Sequence, residues 1–96
     1  MKVHYSPKSL LDINNIYSYL LVSFGERVAD DKLKKIHDDI DMLGNHPFMG
    51  KSVDGHDQNL RQFYSGPNII LYDIYDKVLE ILHVVNARVN YSDKSN

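Results

Sequence analysis

Asn59 to Tyr91 reads NLRQFYSGPNIILYDIYDKVLEILHVVNARVNY, and its punctuation decides the fold. Three runs of apolar, β-branched and aromatic residues are separated by Ser65-Gly66-Pro67 and by Asp76-Lys77, a spacing that predicts a three-stranded antiparallel meander. Strict alternation along the strand from Asn68 to Tyr75 puts Ile70, Tyr72 and Ile74 on one face, with Ile69, Leu71, Asp73 and Tyr75 on the other. The same rule on Val78 to Ala87 groups Leu79, Ile81, His83 and Val85, opposite Val78, Glu80, Leu82, Val84 and Asn86. Both faces are substantially apolar, so each needs a cover. The stretch ends in Asn86-Ala87-Arg88-Val89-Asn90-Tyr91, where polar groups able to meet a partner follow an apolar strand directly.

Upstream, the chain supplies one such cover. Lys2 to Tyr5 reads as a short strand, and Ser6-Pro7 is a helix start: the serine caps free N–H groups, and proline occupies the first position, where its missing donor is not needed. Leu10, Ile13, Ile16, Tyr17, Leu20, Leu21 and Phe24 then recur at three- and four-residue steps as one apolar stripe, closed by Gly25. A second helix starts near Glu26, with Ala29, Leu33, Ile36, Ile40 and Leu43 as a narrow seam and Gly44 at its close. Asp30, Asp31, Lys34, Lys35, Asp38, Asp39 and Asp41 form its solvated face. The short link makes the two helices an antiparallel hairpin. That hairpin covers one face of the sheet. The second face is left either to the long connection and the C-terminal tail or to a partner protein.

The 96 residues make a single domain, residues 1–96, with 43% hydrophobic and 25% charged residues, an ordinary globular composition. The sequence contains no cysteine, which excludes a disulfide scaffold, a thiolate metal site and a cysteine nucleophile. Without a signal-peptide pattern or a run of membrane-spanning length, the expected location is the cytoplasm, with no membrane partner. A net charge of −2 argues against a surface that grips nucleic acid throughout. From Asn45 onward five basic residues face six acidic ones, and no basic stripe stands out.

Asn45 to Gln58 is polar, carries Pro47, Gly50 and Gly55, and reads as an irregular connection. Its His46, Asp54, His56 and Asp57 match no ligand spacing, so no metal and no cofactor is expected. His83, grouped with Leu79, Ile81 and Val85, reads as a satisfied core histidine rather than a general base. Tyr64, Tyr72 and Tyr75 are expected to pack in or over the sheet, with their hydroxyls at its edge.

A helical hairpin followed by Leu43-x3-Pro47-x2-Gly50-Lys51, Leu60-Arg61-x-Phe63, Ile70-Leu71-Tyr72 and Leu79-Glu80-Ile81-Leu82-x3-Asn86-Ala87-Arg88 resembles the RelE/ParE superfamily of bacterial toxins, and within it the ParE branch. The resemblance runs from the first strand to Tyr91. It implies an α+β fold in which an N-terminal strand and an antiparallel helical hairpin accompany a curved antiparallel β-sheet. It also implies a function: the toxin of a type II toxin–antitoxin module, of the kind associated with plasmid stabilization and growth arrest, neutralised by direct binding of a small cognate antitoxin.

Two activities divide the superfamily. RelE-like members cleave messenger RNA on the ribosome, with basic side chains stabilising charge at the scissile phosphate. That branch normally begins the strand equivalent to Ile69-Ile70-Leu71-Tyr72 with arginine, where this chain has Ile69. Arg61, Arg88 and Tyr91 would be its catalytic candidates. ParE-like members bind and poison DNA gyrase and need no catalytic residue, which makes Arg61, Asn86, Arg88 and Tyr91 candidate target contacts. The expected antitoxin surface runs along the hairpin and the open sheet, through Leu10, Ile13, Tyr17, Leu71, Tyr75, Leu82 and Val84. Gyrase poisoning is the favoured expectation, with a ribosome-dependent mRNA endoribonuclease or an inactive binding relic as alternatives. A homodimer and a hetero-oligomer with the antitoxin both remain open.

Overall fold

A computed structural model describes residues 1–87. Its elements run β1 (Lys2–Tyr5), α1 (Pro7–Phe24), α2 (Glu26–Asn45), β2 (Lys51–Ser52), β3 (Leu60–Ser65), β4 (Asn68–Tyr75) and β5 (Val78–Asn86). The predicted meander is present as β3, β4 and β5. It is widened to five strands in the order β1-β5-β4-β3-β2, with β1 parallel to β5 and the other pairs antiparallel. The fold is α+β, with both helices packed on one face of the sheet: α1 lies against β5, and α2 against β1 and β3.

Local chemistry accounts for the turns. Gly66 has φ +58° ahead of Pro67, the left-handed first position of a two-residue hairpin turn. Asp76 and Lys77 both have positive φ, 47° and 64°, as a type I′ turn between Tyr75 and Val78 requires. Ser6 caps α1 by accepting the Ser9 N–H. It also ties the helix start to the sheet, donating from its backbone N–H to Ile81 O and from its hydroxyl to Leu82 O.

The core lies between the helices and the sheet, with Ile13, Ile36, Ile40 and Leu43 against Ile70, Tyr72, Ile74, Leu79, Ile81 and Val84. Burying one such aliphatic side chain is worth about 1.5–3 kcal/mol. The Ile70, Tyr72 and Ile74 face of β4 is therefore the inner one.

On β5 the predicted grouping fails beyond Ile81. Tyr72 pairs with Ile81 but Leu71 pairs with His83, so Leu82 is an extra residue in a β-bulge. The bulge shifts the alternation by one: Val84 joins Leu79 and Ile81 in the core, and His83 leaves it, its side chain 44% exposed. His83 is not the core histidine that unbroken alternation predicts.

Two further differences concern the end of α2 and the connection that follows it. Gly44 does not close α2, which continues to Asn45. A Cβ at Gly44 would lie 2.9 Å from Val3 Cγ2, so this glycine admits β1 against the helix. The connection after α2 is not wholly irregular, since Lys51 and Ser52 pair with Gln62 and Arg61 as an edge strand.

Candidate functional site

Helix α1 has more apolar surface than its place on the sheet can cover. Ser9, Asp12 and Ile13 are its buried residues, while Leu10, Leu11, Tyr19, Leu21, Val22 and Phe24 are exposed, Val22 to 88%. The predicted stripe is therefore split, part in the core and part facing water. So many exposed large apolar side chains on one helix of a folded chain make it a candidate binding surface. Tyr17 sits beside it, half-buried, and its hydroxyl donates to Asp30 of α2 at 2.8 Å; that bond holds its pKa above the usual tyrosine value.

Behind this helix a groove of about 980 Å³ opens between α1, the start of α2 and the ends of β4 and β5. Ile16, Leu20, Phe24, Val28 and Val85 make its walls apolar, and Asn68 and Asn86 bring side-chain amides to its end. Its floor depends on Asp12. Because β1 stops at Tyr5, opposite Ile81, the outer edge of β5 has no strand beside it from Leu82 onward among the described residues. Asp12 Oδ2 accepts the Val84 N–H at 3.1 Å, and its other oxygen pairs with Lys8 Nζ. His83 Nδ1 lies 3.5 Å from the same carboxylate. Sequence reasoning missed Asp12, although it falls one residue before Ile13 on the inward side of α1, where a lone carboxylate needs partners.

Of the expected antitoxin contacts, Leu10 and Tyr75 are exposed and Tyr17, Leu71 and Leu82 are half-buried. Ile13 and Val84 are core residues, 7% and 2% exposed, and present almost no surface to a partner. Val84 is inside because of the bulge, and Ile13 because α1 turns that side to β5. On the outer sheet face Tyr75 donates to Glu80 Oε1 at 3.0 Å, and His4 Nδ1 lies 3.1 Å from Glu80 Oε2. The Glu80 bond raises the Tyr75 pKa.

The expected target contacts do not converge on one point among the described residues. Asn86 ends β5. Arg88 and Tyr91 lie outside the described residues. Arg61 is turned inward: its Nη1 donates to Gly50 O at 2.7 Å and Phe48 O at 3.4 Å, and the guanidinium stands 4.7 Å over the Phe48 ring. Tyr72 works with it. Fully buried, it accepts the Gly50 N–H at 2.9 Å and donates to Pro47 O at 2.7 Å. Burial raises its pKa. Tyr64 and Tyr75 are exposed, as side chains lying over the sheet would be, but Tyr72 departs from the expectation of a hydroxyl at the sheet edge, because its hydroxyl anchors a loop. Among the described residues no three His, Cys, Asp or Glu side chains are placed to hold a metal, and no helix is long and apolar enough to cross a membrane.

Residues 3–91 match the family model described as the ParE toxin of the type II toxin-antitoxin system, parDE. The chain belongs to the ParE toxin family. Toxin ParE1 of Caulobacter vibrioides (strain ATCC 19089 / CIP 103742 / CB 15) is 29% identical over 89 residues, covering 88% of this ParE-family chain and 88% of the relative. A solved structure described as the chromosomal ParDE TA system from P. aeruginosa superposes with a TM-score of 0.75 over 90% of this chain and 95% of that one. At 18% identity that likeness establishes the ParE fold. Membership in a toxin–antitoxin family supports a cognate antitoxin as a partner of this ParE chain.

Proposed function

We propose that this ParE-type toxin arrests growth in the cytoplasm by binding DNA gyrase and poisoning it on cleaved DNA, and that its antitoxin neutralises it by direct binding. The observation that carries this reading is the inward turn of Arg61. Its Nη1 is committed to the Gly50 and Phe48 carbonyls. A phosphoryl-cleaving site needs such a donor aimed at developing charge in open space. Binding to a large target makes no such demand. The exposed side of α1 supports the second half of the reading, because a partly disordered antitoxin segment can bury Leu10, Leu21 and Val22 as it folds.

The decisive experiment pairs two readouts on the purified chain: gyrase supercoiling with detection of trapped cleavage complex, and messenger RNA cleavage on ribosomes. Gyrase inhibition with intact RNA is the expected result. RNA cleaved at ribosome-defined positions with gyrase unaffected would refute the proposal and return Arg61, Arg88 and Tyr91 to candidacy as catalytic groups.

A further inference from the structure

Residues 46–50, between α2 and β2, form a tight loop whose backbone is held at every step. Met49 N–H donates to His46 O, Gly50 N–H to the Tyr72 hydroxyl, that hydroxyl to Pro47 O, and Arg61 Nη1 to the carbonyls of Phe48 and Gly50. Gly50 is packed so closely that a Cβ there would lie 2.8 Å from Gln62 O and against the Tyr72 ring and hydroxyl. Five hydrogen bonds, a fully buried tyrosine and the Nη1 of Arg61 are engaged in holding this short turn. What the turn displays is apolar: Phe48 is 58% exposed and Met49 57%.

A loop that only links two elements has no need of such anchorage, and exposed loop residues are ordinarily polar and mobile. Rigidity and exposed apolar surface together have a definite thermodynamic use. An anchor already held in its bound shape avoids most of the ordering entropy that association otherwise consumes. Phe and Met filling a pocket on the partner can dominate the binding energy of a much larger interface.

We propose that Phe48 and Met49 form a preorganised wedge that seats in an apolar socket on the toxin's target protein. This inference rests on the reading that the chain acts by binding a target. Charge placement favours protein over nucleic acid. Arg61, the arginine beside the wedge, has its Nη1 committed to the carbonyls of the loop and its guanidinium stacked on the Phe48 ring. Lys51 follows the wedge in the sequence, but Asp54 and Asp57 come close behind it, so the segment carries no cationic excess. Proteins that insert apolar wedges between DNA bases rely on basic and amide side chains in the groove and on phosphate contacts for their affinity, which a segment without cationic excess supplies poorly.

The loop's hydrogen bonds run through backbone groups, so they can persist when Met49 is changed, whereas a change at Phe48 also removes the ring that Arg61 stands over. The test compares the full chain with a Phe48→Ser, Met49→Ser double variant and a Phe48→Leu, Met49→Leu double variant. Thermal midpoints check the fold, growth arrest on matched induction reports toxicity, and capture of purified gyrase reports target binding. Met49→Glu, which leaves the Phe48 ring under Arg61 in place, serves as a second disruptive variant should loss of that ring unsettle the loop. At least a tenfold loss of gyrase capture and of arrest is expected for the serine and glutamate variants, with the leucine variant close to the unsubstituted chain. Full arrest by a folded serine or glutamate variant would overturn the wedge. Arrest by the unsubstituted chain without gyrase capture would instead sink the gyrase reading, leaving the wedge to be judged on arrest alone. Wedge-dependent binding of the purified chain to duplex DNA would overturn the assignment to protein.

Discussion

Asp12 of α1 holds the backbone N–H of Val84 on β5 at 3.1 Å, across 72 residues of sequence. The carboxylate stands where a neighbouring strand's carbonyl would be if β1 were longer, so a side chain completes the sheet edge. Replacing Asp12 with alanine leaves a buried N–H without an acceptor and removes the partner of Lys8. The expected loss is about 1–3 kcal/mol, read as a lower urea midpoint at unchanged slope. Asp12→Asn keeps an acceptor and should lose less. An alanine variant as stable as the parent would show that water or a shifted backbone replaces the bond without penalty.

Tyr72 gives a second expectation, with a pH signature. Removing its hydroxyl in Tyr72→Phe strands the Gly50 N–H and the Pro47 carbonyl, which should lower stability by about 1–3 kcal/mol near neutral pH. The phenol's pKa is raised by burial, so the folded state favours the protonated form. That preference contributes in full below the unfolded value of 10.0 and is lost as pH rises from there through the folded value. Tyr5, Tyr17 and Tyr75 are shifted in the same direction, so the parent should lose stability above pH 10. The phenylalanine variant should lose less over the same interval. Equal alkaline slopes in denaturant titrations of the two proteins would count against Tyr72 as a contributor.

Much of the architecture was readable because its causes are local. The Asp76-Lys77 pair, the Ser6-Pro7 start and the β-branched runs each act within a few residues, and the hairpins and helices formed where they point. What escaped was set by contacts between distant segments. Alternation along β5 presumes an unbroken ladder, and the extra residue at Leu82 has no signature in sequence beyond an apolar pair followed by His83. Gly44 looks like a helix terminator and is instead a gap for Val3, a neighbour 41 positions away. At the candidate site Arg61 was singled out as a contact for a target, whereas the partners it has within the chain are backbone carbonyls, and those carry no residue identity to read. Tyr72 offered a better clue. A hydroxyl placed by alternation between Ile70 and Ile74 must find partners inside, and the Pro47 to Gly50 turn is where it found them.

The apolar side of α1 should separate binding from stability. Leu21 and Val22 are exposed in the free toxin, so Leu21→Glu and Val22→Glu are expected to change stability by about 0.5 kcal/mol or less. Each should nevertheless weaken co-purification with the antitoxin at least tenfold, because the partner would then have to desolvate a carboxylate. Ile13→Glu, by contrast, should fail at the folding stage. Undiminished antitoxin capture by both surface variants would move the docking surface elsewhere, with the outer sheet face around Leu71 and Tyr75 next to be tested.

Gly44 supports a final, purely steric expectation. Alanine has higher helix propensity than glycine by about 1 kcal/mol, and Gly44 lies within α2, so propensity alone predicts that Gly44→Ala stabilises. The Val3 methyl 2.9 Å from the new Cβ opposes this, since overpacking a filled site typically costs about 1–3 kcal/mol. The steric term should win, because Val3 lies on β1, which is fixed by parallel pairing with Leu79 and cannot withdraw without loosening the sheet edge. Pairing the change with Val3→Ala removes the offending methyl and should recover most of the loss attributable to Gly44→Ala. Thermal melts of the single and double variants measure that coupling, and strict additivity between the two sites would show that the close approach of β1 to α2 does not limit the substitution.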